Sequence, residues 1–80
     1  MSVAIPIGDI VSINKILEKD NLPFRVHLHD ACGAQTLELR SIDDTVSPDE
    51  TIRDLVRTFF KSRNRKIEFF VDGRTFRPLQ

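Results

Sequence analysis

Eighty residues, 40% of them apolar and none in repeat tracts, fit one domain spanning 1–80, near the small end of what folds without staples. Twelve basic and twelve acidic residues cancel, so no overall field draws the chain to nucleic acid or to an anionic membrane. The lone cysteine, Cys32, excludes an internal disulfide, and no apolar run approaches the ~20 residues of a bilayer span. The opening MSVAIPIGD lacks a basic n-region and is interrupted by Pro6 and Asp9, so the expected compartment is the cytoplasm.

Val3, Ile5 and Ile7 alternate, which suits an extended arm or edge strand, while Pro6 removes a ladder donor and excludes a central one. Asp9 is positioned to cap a helix over 10–20 with the apolar stripe Ile10, Ile13, Ile16 and Leu17. Asn21 is placed to close that helix in a left-handed conformation, and Pro23 bars its continuation.

The stretch from Phe24 to Ile42 alternates on both sides of Ala31-Cys32-Gly33-Ala34 and reads as a hairpin. A turn at Cys32-Gly33 pairs Leu28 with Leu37 and Val26 with Leu39 on the apolar face. The same register sets His27 opposite Glu38 and His29 opposite Thr36 on the polar face. A polar connection follows. Ser47-Pro48-Asp49-Glu50 then predicts a helix start, with Ser47 as cap, Pro48 in the first turn and Glu50 completing a capping box. Ile52, Leu55, Val56, Phe59 and Phe60 recur at helical spacing to about Ser62. Lys66 to Asp72 alternates with Ile67, Phe69 and Val71 inward, and Asp72-Gly73 predicts a tight turn. That turn pairs Phe69 with Phe76 and Glu68 with Arg77, and Pro78 suits an edge strand.

The predicted fold is α+β, in the order α-β-β-α-β-β, with two helices on one face of a four-stranded antiparallel sheet. A ferredoxin-like arrangement is the alternative if residues 3–7 pair as a strand. Ile10, Ile13 and Leu17 match Ile52, Leu55 and Phe59 in spacing, as in an internal duplication or in any two amphipathic helices laid on a sheet.

This architecture leaves one sheet face open, carrying Arg25, His27, His29, Thr36, Glu38, Arg40, Glu68, Phe70, Thr75 and Arg77. Phe70 is the large apolar ring on it that calls for cover. Two functions follow. In the leading one, a non-enzymatic domain binds a protein partner or a second copy of itself, as a homodimer, through His27, His29, Glu38 and Phe70. In the alternative, His27, His29 and Glu38, joined by Cys32 at the turn, hold a divalent metal or small ligand through two imidazoles, a carboxylate and a thiolate. Catalysis by Cys32 with a histidine base lacks the third orienting group that such a pair needs. Lys61, Arg63, Arg65 and Lys66 complement the end of the second helix. As a phosphate patch for RNA, with Phe70 stacking, they have zero net charge and a single exposed aromatic against them.

The run His27-Leu28-His29-Asp30-Ala31-Cys32-Gly33-Ala34-Gln35, after a capped helix and before Leu37, resembles the RDAC family of short bacterial proteins. The tetrapeptide that names the family falls on His29-Asp30-Ala31-Cys32, with histidine in place of arginine. The resemblance points to Asp30, Cys32 and Gly33 as the turn motif and implies no activity or cofactor.

Overall fold

The computed structural model describes residues 4–31 and 34–79, with only the backbone described for 30, 31 and 34. Its elements are α1 (Ile7–Lys19), β1 (Phe24–Ala31), β2 (Ala34–Ser41), α2 (Glu50–Ser62), β3 (Lys66–Phe69) and β4 (Thr75–Leu79). The strands form one antiparallel sheet in the order β1-β2-β4-β3. This is the predicted α-β-β-α-β-β fold, with α1 packed on β1 and α2 on β3. No helix among the described residues is long and apolar enough to cross a membrane.

The ferredoxin-like alternative is not adopted. Residues 4–6 belong to no strand, and Ile7 opens α1 instead of extending an arm. Ile5 is nonetheless buried. The Gln35 carboxamide accepts from its N–H at 2.6 Å and donates to its C=O at 3.0 Å, so one side chain replaces a neighbouring strand. Because α1 starts early, Asp9 lies in its first turn and is not its cap. The Asp9 carboxylate instead accepts from Arg65 Nε at 3.1 Å and lies 3.8 Å from Arg63, joining α1 to the end of α2.

Both helices end alike. Asn21 and Asn64 take φ of 56° and 60°. The next residue's N–H then reaches back into the last turn, Leu22 to the C=O of Leu17 and Arg65 to that of Phe60, each at 2.9 Å. These are Schellman closures, here made with asparagine where glycine is usual. With the caps aligned, Ile13 corresponds to Val56, Leu17 to Phe60, and Asn14 to Arg57. That equivalence runs one residue later than the spacing match of Ile10, Ile13 and Leu17 with Ile52, Leu55 and Phe59. Two similar α-β-β units therefore meet where β2 runs against β4, at Leu37–Phe76 and Glu38–Thr75.

The start of α2 differs from expectation. Asp49, not Ser47, is the cap: its Oδ1 accepts from Ile52 N–H at 3.0 Å, and Glu50 is the first helical residue. Asp49→Ala is expected to cost about 1 kcal/mol, while Ser47→Ala leaves stability within about 0.5 kcal/mol. Urea denaturation of the two variants checks this.

Ile10, Ile13 and Leu17 pack with Phe24, Val26, Leu37 and Leu39, and these with Ile52, Val56, Phe59, Phe60 and Phe76, in one core. Three residues assigned inward lie outside it. Ile16 is exposed on α1. Leu28 pairs with Leu37 as expected but stays 37% exposed, because β1 is an edge strand with a neighbour on one side only. Val71 is fully exposed, since β3 ends at Phe69 and the turn is wider than two residues. Asp72 accepts from the N–H groups of Arg74 and Thr75, and Gly73, at φ 72°, donates to Phe70 C=O. The predicted register survives, with Phe69 opposite Phe76 and Glu68 opposite Arg77.

Pro78 also lies elsewhere than predicted. Its strand, β4, is internal, and its missing donor falls beyond the end of the β2–β4 pairing. Ser41 is buried with no partner for its hydroxyl among the described residues. Removing an unsatisfied hydroxyl relieves its desolvation cost, so Ser41→Ala is expected to raise stability by up to about 1 kcal/mol, read as a higher melting temperature.

Candidate functional site: the open sheet face

With both helices on one side, strand alternation sends His27, His29, Glu38, Arg40, Glu68, Thr75 and Arg77 to the other. His27 and Glu38 are Cα partners, as the pattern predicts. The imidazole that reaches the carboxylate, however, is that of His29, with Nε2 3.1 Å from Glu38 Oε1. Arg40 donates to the same oxygen at 3.0 Å. The reason lies in the ladder. Asn14 occupies the outward N–H and C=O of Val26, so Val26–Leu39 is a non-hydrogen-bonded pair and His27–Glu38 a hydrogen-bonded one, whose side chains stand farther apart. Strand twist then brings in the diagonal neighbour.

Partial burial acts to raise the pKa of Glu38, but the hydrogen bonds from His29 and Arg40 and their charges outweigh it and hold the carboxylate below its ordinary range. A carboxyl depressed in the folded state stabilises above its unfolded pKa, and that contribution is lost as pH falls through the folded value. The contacts are partly exposed, so Glu38→Gln is expected to remove well under about 1 kcal/mol at neutral pH. The loss shrinks as acid protonates Glu38 in the parent, which parallel acid titrations of urea midpoints will read.

Arg25 does not lie on this face. Its guanidinium turns back to the carbonyls of Leu22 and Phe24 and approaches Glu18 of α1 at 3.9 Å. At the other end of the sheet, Arg77 donates to Glu68 Oε1 at 2.8 Å and stands 5.9 Å from the centre of the Phe70 ring. Phe70 is 40% exposed and follows β3 directly.

The metal-binding set is brought together only in part. His29 meets Glu38, His27 projects separately into solvent, and no group of three His, Cys, Asp or Glu among the described residues could hold a metal ion. A divalent cation at Glu38 would compete with Arg40 for the same oxygen. Cys32 and Gly33 lie outside the described residues, as does the side chain of Asp30, so the turn motif is located only by the strands that flank it. The roles of Asn14 and Gln35 were missed. Gln35 had a signal, since it shares the inward phase of Leu37 and Leu39, where a carboxamide needs a partner. Asn14, on a helix, had none.

Comparison with known proteins finds no matching family model, no matching curated protein and no matching solved structure.

Proposed function

We propose that the chain is a non-enzymatic interaction domain whose docking surface is the open sheet face, with a second copy of the chain as its occupant. The observation that carries this reading is Phe70, an aromatic residue 40% exposed beside the Arg77 guanidinium on a face that neither helix reaches. Aromatic and arginine side chains are the usual anchors of protein interfaces, and here they stand side by side. The surface also carries both signs, Arg40 and Arg77 with Glu38 and Glu68. Such a mixture suits a two-fold pairing in which one patch faces itself. The likeness to the RDAC family belongs to this proposal as a family assignment resting on the run from His27 to Gln35, with His29-Asp30-Ala31-Cys32-Gly33 at its centre.

Sedimentation equilibrium from low micromolar to millimolar concentration tests the reading. The expected result is a mass that rises with concentration and returns to that of the monomer in Phe70→Ala, with unchanged circular dichroism. A parent chain that stays monomeric at millimolar concentration overturns it.

A further inference from the structure

The two edges of the sheet are finished differently. On β1, the outward backbone groups of Val26 are both taken by the Asn14 carboxamide, which accepts from its N–H at 2.7 Å and donates to its C=O at 3.1 Å. On β3, the corresponding groups belong to Ile67 and Phe69. Phe70 N–H donates to Thr75 C=O at 2.7 Å. Alternation along an antiparallel ladder then makes Glu68–Arg77 and Lys66–Leu79 the hydrogen-bonded pairs, and turns Ile67 and Phe69 outward. Pro78 stands opposite Ile67 and has no N–H to give, in keeping with that assignment.

The residue of α2 that corresponds to Asn14 is Arg57. Its guanidinium is engaged by Glu50 at 2.6 Å and Asp54 at 2.7 Å and lies over the Phe69 ring. Among the described residues, no side chain bonds to the outward backbone of Ile67 or Phe69.

Alongside this open edge runs a cleft of about 290 Å³ lined by Arg57, Lys61, Arg65, Lys66, Ile67 and Leu79. Its floor is apolar and its rim cationic. Glu50 and Asp54 answer Arg57, and Asp9 answers Arg65. Lys61 and Lys66 have no acidic partner among the described residues.

We propose that the β3 edge takes up an extended acidic segment of a partner protein as an added strand. Main-chain hydrogen bonds to Ile67 and Phe69 supply the pairing, and alternate side chains supply the selectivity. Carboxylates of the segment meet Lys61 and Lys66 at the rim, and an apolar side chain enters the cleft against Ile67 and Leu79. A second copy of β3 is a poorer occupant, because its one carboxylate, Glu68, is already engaged by Arg77 and comes with Lys66 beside it. Lysine on an edge strand discourages indiscriminate pairing, and an acidic partner turns that guard into a preference. Lys66 and Leu79 share the phase of Glu68 and Arg77, so this edge adjoins the open face, and Phe70→Ala, which leaves the cleft residues in place, separates the two proposals.

The test is titration of an acetylated and amidated peptide of alternating glutamate and valine into the isotope-labelled full chain. The expected result is movement of the Ile67 and Phe69 amide resonances and slower hydrogen exchange at both, with His27 and Glu38 unmoved. Affinity is expected to fall about tenfold or more in the Lys61→Glu/Lys66→Glu double variant, whose circular dichroism stays that of the parent. The same peptide N-methylated at alternate residues, so that it cannot donate to the edge, is expected to lose binding to the unaltered protein. Equal binding by the N-methylated peptide overturns the proposal, as does equal binding by a lysine–valine peptide. Shifts confined to the Phe70 face, or inorganic phosphate moving Lys61 and Lys66 while the peptide leaves Ile67 still, overturn it too.

Discussion

Phe60→Ala is expected to remove at least about a quarter of the stability of the fold. Phe60 is fully buried and stands at the meeting of the two layers, with its ring 5.0 Å from that of Phe59 and 6.0 Å from that of Phe76. Truncating such a ring costs ~3–5 kcal/mol, because the neighbours refill only part of the space. At roughly 0.05–0.15 kcal/mol per residue, a chain this short has about 4–12 kcal/mol in all. A urea midpoint lowered by about a quarter or more is the expected reading. Val71→Thr is the control: it too removes an apolar group assigned inward by alternation, but Val71 is fully exposed. Its effect is expected within about 0.5 kcal/mol. Similar losses in both variants would mean that inside and outside are wrongly assigned on this half of the molecule.

The second large effect concerns Asn14. Asn14→Ala is expected to lower stability by ~2 kcal/mol, since it removes two hydrogen bonds and strips the Val26 N–H and C=O of their partner at the sheet edge. Asn14→Asp should recover little, because a carboxylate can accept from the N–H but repels the C=O. A freed β1 edge also offers itself to other chains, so light scattering at high concentration is expected to rise in Asn14→Ala. Lys15→Ala, on the exposed side of α1, is expected to change neither reading.

The layers, the element order and the hairpin registers were legible because they follow from periods that the chain repeats. Val26–Leu39, His27–Glu38 and Phe69–Phe76 are opposite one another as alternation requires, since a slip by one residue would exchange the faces of a whole strand. What alternation does not carry is where a side chain bends after leaving the backbone. It put Glu38 opposite His27, yet the diagonal His29 holds it. It put Arg25 on the open face, yet the guanidinium folds back to the carbonyls of Leu22 and Phe24. The cap of α2 was misread for a related reason: Ser47, Asp49 and Glu50 all suit a helix start, and only the geometry selects Asp49. Strand order was also beyond reach. Hairpin pairing leaves open which strands meet in the middle, and the contact of β2 with β4 made β3 an edge that the pattern had assigned to the last strand.

That central contact has a consequence for how the molecule comes together. Each helix and its hairpin are neighbours in sequence and close locally, whereas the backbones of the halves meet at Leu37–Phe76, at Glu38–Thr75 and through the bond from Leu39 N–H to Arg74 C=O. Contacts between near neighbours form early in folding and distant ones late. The zipper is therefore expected to be the last join made. A chain caught at that stage presents half a molecule seeking its complement, and in a concentrated solution another copy can supply it. The connection over residues 42–49 would then act as the hinge of an exchanged dimer.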